Sequence, residues 1–224
     1  MLIEPDKQIA REFFLILQFA HVLIVRVLQL ILPSMPSHSL LMTTRNWGLP
    51  DAQRIAAVIL EHPQQAKQLI HALLTGNEEI RKRAADVARR ITEKKVDILA
   101  SYAEEIIGAF SESISINDNW RTRAHLGLVA ARLANTRHQR LRTAGLLRPL
   151  LNDPGNVVRC TALEGLGILS ESEPTLQTEV TLVLEEALQT GTLAMKNRAQ
   201  HALKKMANRS SFTVKKRKET MRSK

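Results

Sequence analysis

The sequence predicts an all-α protein, an α-solenoid made by stacking antiparallel helix pairs. Three observations lead there. Aromatics are 4% of the chain and there are nine glycines, while Leu, Ala, Arg and Glu are abundant, a mix that favours helix. Apolar residues recur at helical spacing, as in Leu99, Tyr102, Ile106, Ile107 and Phe110. A five-residue stretch, apolar–basic–x–x–Ala, occurs four times: Ile80–Ala84, Trp120–Ala124, Val158–Ala162 and Met195–Ala199. Its basic members, Arg81, Arg121, Arg159 and Lys196, are 40, 38 and 37 residues apart, which is a repeat period.

Taken in order, residues 1–47 form an N-terminal segment and linker outside the repeat. Phe13 to Leu32 is an apolar run broken by Gln18, His21, Arg26 and Gln29. Its 20 residues suit a membrane span, yet Arg26 near the middle opposes one by about 2.5–3.5 kcal/mol. Three readings fit: an amphipathic helix packed on protein or at an interface, a membrane anchor, or an extension ahead of a start at Met42. Pro33 and Pro36 close the run.

The repeat domain is expected over 48–207. Pro50 and Asp51 open a short helix that His62-Pro63 stops after Glu61, a truncated end unit. Helix pairs follow, with turn chemistry at Gly76-Asn77, Asn117-Asp118, Asp153-Pro154-Gly155 and Gly191-Thr192. Pro149 should kink or shorten the third leading helix. About three extra residues in Ser111–Asn119 should make that turn protrude. Residues 208–224 carry seven Lys or Arg against Glu219 and read as a disordered basic tail.

A helix-turn-helix unit of this length, with Arg just inside the second helix and Ala three residues on, resembles the HEAT repeat. The third unit carries most of the likeness, in Leu150 to Pro154, Val157-Val158-Arg159, Ala162, Leu163, Gly165, Leu166 and Leu169. The resemblance covers roughly residues 50–207. It implies a right-handed superhelix of stacked pairs, with one continuous core and a binding surface on the inner helices. It also implies an Asp–Arg hydrogen-bonded ladder between repeats. Only Asp153, six residues before Arg159, matches that role; Thr75, Ser115 and Thr190 occupy the equivalent positions.

Projecting each second helix from its Ala puts Lys82, Asp86, Arg89 and Glu93 on the inner surface. The same offsets give Thr122, Leu126, Val129 and Leu133, then Cys160, Glu164, Gly167 and Glu171, then Asn197, His201, Lys204 and Asn208. The expected function is a non-catalytic scaffold binding a protein partner through Lys82, Arg89, Leu126, Val129, Leu133, Glu164 and His201. Leu126, Val129 and Leu133 are expected as an apolar patch for a partner helix or for Phe13–Leu32 itself. The alternative is nucleic-acid binding along a basic edge of Arg83, Arg123 and Arg198, helped by Lys215, Lys216, Arg217 and Lys218.

Catalysis is not expected. Cys160, Glu164 and His201 project near one another, but an exposed cysteine beside a surface histidine explains them more simply. Helical-repeat DNA glycosylases need aromatic and acidic groups on the inner surface, whereas Trp120 projects into the core and Trp47 lies outside the repeats. The seven histidines show no metal-ligand spacing, and no cofactor motif occurs. A single cysteine excludes an internal disulfide and suits a reducing compartment, so a cytoplasmic location is expected. The sequence does not give an oligomeric state.

Overall fold

The computed structural model describes Leu41 and residues 47–222, with side chains through Asn208. Among these residues every regular element is helical. The nine α-helices are α1 (Leu49–Glu61), α2 (Ala66–Thr75), α3 (Glu78–Lys94), α4 (Ala103–Ser115), α5 (Trp120–Leu133), α6 (Arg137–Leu147), α7 (Asn156–Ser170), α8 (Gln177–Thr190) and α9 (Leu193–Arg222). Short 3-10 turns lead into α2, α4 and α8 and follow α6. The Phe13–Leu32 readings lie outside the described residues. Among the described residues, no helix is long and apolar enough to cross a membrane.

Local chemistry sets the boundaries. Asp51 at the third position of α1 accepts from the Gly48 amide at 3.0 Å, and Pro50 occupies the first turn, where its missing N–H costs nothing. Asn77 caps α3 by accepting from the Ile80 amide at 3.0 Å, and Asn119 caps α5 through the Arg121 amide. Thr136 and Gln139 form a reciprocal capping box on α6. Pro149 shortens α6 as its ring demands, and the chain tightens to a 3-10 turn over Arg148–Asn152.

The turn after α4 departs from expectation. Ser111 to Ser115 stay helical, and the surplus is absorbed by a Schellman closure. Asn117 takes the left-handed conformation at φ 50°, its amide donates to Ile114 O, and the Asp118 amide donates to Ser113 O. Only Ile116 stands out as an exposed apolar side chain there, while Asp118 is buried.

Packing runs in two rows. α1, α3, α5, α7 and α9 contact one another in that order, and α2, α4 and α6 do likewise. The rows meet through α2·α3, α4·α5, α6·α7 and α8·α9. One apolar cluster runs the whole way, from Leu41, Ile55 and Ile59 through Leu69, Ile91, Phe110 and Leu147 to Leu184 and Ala202. No pair could bury its apolar face alone, so neighbours supply the core.

α9 continues as helix to Arg222, where a disordered tail was expected from residue 208. The reason is local: 208–222 contains neither Gly nor Pro, and Lys, Arg, Glu and Met are good helix formers.

Candidate inner-surface site

Buried charge joins the rows' turns to one another. Arg81 on α3 pairs with Asp118 Oδ2 at 2.7 Å; Asp118 is buried and Arg81 is 13% exposed at the side chain. Arg123 on α5 donates to Asp153 Oδ2 at 2.7 Å, to Asn117 Oδ1 at 2.9 Å and to the Asp118 carbonyl. Asp153 also accepts from the Gly155 amide at 2.7 Å, and its carbonyl takes Arg159. An Asp–Arg ladder is therefore present, but each Asp reaches back to the preceding helix of the inner row. Spacing alone missed Asp118, because the lengthened turn moved the carboxylate out of the position where Ser115 stands. Asn119–Glu78 and Thr192–Asn156 hydrogen bonds link the same turns.

That bonding corrects the expected basic edge. Arg83 and Arg123 are each 8% exposed. Arg83 bonds to Glu79 and to the Leu41 carbonyl at 2.8 Å, and its guanidinium lies 5.2 Å from the Trp47 ring centroid. Arg198 is more exposed but reaches across to Glu164 on α7. A buried guanidinium already supplied with acceptors has nothing left for a phosphate backbone. The side chains of Lys215, Lys216, Arg217 and Lys218 lie outside those described.

The apolar patch is corrected too. Leu126, Val129 and Leu133 are fully buried members of the core cluster. α5 is central to its row and buried on nearly every side, with Trp120 and Arg121 its exposed residues. Trp120, expected in the core, is 40% exposed, and Trp47, ahead of α1, packs on the core while lining the cleft described next.

What the α3, α5, α7 and α9 row does present is charge. Arg132 on α5 lies 3.6 Å from Glu93 on α3 and 3.6 Å from Glu164 on α7, and donates to the Arg89 carbonyl at 3.2 Å. With Glu164–Arg198, the ion pairs cross four successive helices of the row. Burial depresses the Arg132 pKa from its ordinary value, opposed by Glu93 and Glu164.

At one end of this strip, between the start of α1, α3 and α5, is a cleft of about 300 Å³. Lys82, Arg89, Arg90 and Arg121 line it around a single carboxylate, Asp86. Asp86 Oδ1 lies 3.2 Å from Arg90 Nε, 3.6 Å from Arg89 Nη2 and 3.9 Å from His125 Nε2. Burial pushes the His125 pKa down to about 4; Asp86 opposes this, and Arg89, Arg90 and Arg121 add to it. The imidazole is neutral at pH 7, so the cleft carries four cations against one anion.

The Glu164 and His201 expectation fares differently. Both line a small recess of about 10 Å³ between α7 and α9, room for no more than about one water. Cys160 is buried, not exposed, and burial raises its pKa, so the thiol is poorly suited to act as a nucleophile. Among the described residues, no group of His, Cys, Asp or Glu is arranged to hold a metal ion.

Among the described residues, fold and site together define an all-helical protein whose row of α1, α3, α5, α7 and α9 is tied by ion pairs and carries a cationic cleft. No protein-family model matches the chain, and no curated protein does.

Proposed function

We propose that the chain is a right-handed HEAT-like solenoid acting as a scaffold, with the α3, α5, α7 and α9 surface binding a protein partner. The observation that supports this reading is the Glu93–Arg132–Glu164–Arg198 strip, which spans four neighbouring helices and stays partly open to solvent. Charges fixed by one another keep their positions without a partner, and such a surface selects by complementarity. The turn-to-turn bonds of Asp118 and Asp153 hold those helices in register. A nucleic-acid reading has less support, because Arg83 and Arg123 are consumed internally and the cations gather in one cleft instead of following a track.

The test is site-specific photo-crosslinking of the full chain. A crosslinker at Glu171 or Asn197, on the inner row, should trap one defined protein, whereas Glu105 or Glu186, on the other row, should not. Equal trapping from both rows would defeat the reading. So would duplex DNA or RNA bound at physiological salt and crosslinked from the inner positions.

A further inference from the structure

We infer that the cleft between the start of α1, α3 and α5 receives the oxyanion side chain of a partner peptide, a carboxylate or a phosphate. This rests on the protein-binding reading and names the chemistry of its partner. The cleft is sized for a side chain, at about 300 Å³, the lower end for small-ligand sites. Its charge is unbalanced: Lys82 has Glu79 and Arg89 has Glu93, but Arg89, Arg90 and His125 all crowd Asp86. Arg121 makes no ion pair among the described residues; it stacks 5.0 Å from the Trp120 ring centroid and faces the cleft as a free fork of donors.

A second observation points to the same place. Among the described residues, Arg89 Nε and His125 Nδ1 are buried without a hydrogen-bond partner, and Asp86 Oδ1 and Arg90 Nε meet as an ion pair at 3.2 Å. Buried polar atoms are ordinarily hydrogen-bonded, and here the unpaired ones lie beside an open cleft where a ligand's oxygens can reach them. Guanidinium forks suit an oxyanion, which accepts bidentate bonds. Trp47 on the rim offers an apolar wall for the peptide beside the anion. A duplex or single strand would need cations continuing beyond the cleft, and the neighbouring Arg81, Arg83 and Arg123 are already bound internally.

Tryptophan fluorescence of the full chain, titrated with three matched peptides bearing phosphoserine, glutamate or serine, tests this. Either acidic peptide should bind at physiological salt while the serine peptide does not, and which of the two binds more tightly identifies the anion. Arg121→Gln should weaken that binding at least tenfold, and because Arg121 holds no internal ion pair the variant should fold like the parent. Arg142→Gln, on the other row, should change nothing, and Trp47→Phe should remove most of the signal while Trp120→Phe retains it. The inference fails if neither acidic peptide binds, if inorganic phosphate alone competes as well as the peptide, if Arg142→Gln loses as much as Arg121→Gln, or if an oligonucleotide of equal charge binds more tightly. Failure here with inner-row crosslinking intact would leave the scaffold reading standing; loss of both would remove it.

Discussion

Replacing Asp153 with alanine should be among the most damaging single changes to this fold. The carboxylate accepts from Arg123 Nη2 and from the Gly155 amide, each at 2.7 Å, and both partners of the ion pair are under 10% exposed at the side chain. Without it, Arg123 keeps its charge in the interior with only the neutral acceptors Asn117 Oδ1 and Asp118 O. Breaking one side of a buried pair costs about 3–5 kcal/mol, and losing the acceptor for the Gly155 amide adds about 1 kcal/mol. Urea unfolding followed by far-UV circular dichroism should therefore show a loss of about 4 kcal/mol, a large share of the total for a domain this size. Because Asp153 lies in the turn before α7, the transition should also broaden as α7–α9 uncouple from α1–α5. Arg123→Met combined with Asp153→Ala should recover about 2 kcal/mol relative to the sum of the single changes. A loss under about 1 kcal/mol, or additive single changes, would refute the claim that this pair ties the row together.

Further outcomes follow from the same contacts. Gly167→Ala should destabilise by up to about 2 kcal/mol, since its new Cβ would sit 2.9 Å from the Ala202 Cβ, which has no rotamer to escape into, and α7 and α9 must part. Gly165→Ala, whose Cβ meets the movable Leu147 Cδ1 at 2.8 Å and the Ala131 Cβ only at an ordinary 3.5 Å, should stay within about 1 kcal/mol, the gain in helix propensity offsetting the contact. Leu126→Ala should cost about 2–5 kcal/mol as an ordinary core deletion; a cost near zero by the same urea assay would restore the exposed-patch reading. His125 has a folded pKa of about 4 against 6.5 unfolded, so the unfolded chain binds more protons between those values. Its contribution is complete above pH 6.5 and falls as the pH drops toward 4, which makes the protein about 2 kcal/mol less stable at pH 5 than at pH 7.5 from this group. His125→Gln should flatten that slope in unfolding curves measured at the two pH values.

The helices were legible because each carries its own signals. Asn77 and Pro149 act within a few residues of themselves, so their effects on the start of α3 and the end of α6 can be read without a partner in view. α5 was harder to read, because helical spacing describes a helix with one apolar face and one wet face. Its run Leu126-Gly127-Leu128-Val129-Ala130-Ala131 has no wet face, and the structure buries all of it. The projection then assigned part of a buried helix to the surface. For the same reason the cleft was only half visible: Lys82, Asp86 and Arg89 came from the projection. Arg121, His125 and Trp47 reach it from other elements, and no spacing rule relates them.

The repeated basic residue shows most directly where periodicity stops being informative. Arg81 is half-buried against Asp118, Arg121 is exposed over Trp120, and Arg159 bonds to the carbonyls of Asp153 and Pro154 in its own turn. Two positions on, Arg83 and Arg123 are interior, whereas Arg198 is 54% exposed at the side chain and pairs across helices with Glu164. The backbone supplies the same start of a helix each time, so the residue type recurs. What the side chain meets depends on the length of the preceding turn and on the neighbour in the row, and both vary. The turn before α5 carries Asp118 into the row, where Arg81 pairs with it, and the turn before α7 gives Asp153 to Arg123, so Arg121 is left over. The spare cation in the cleft and the ion pair that fixes α3 to α5 thus both follow from which arginine the aspartate of each turn meets.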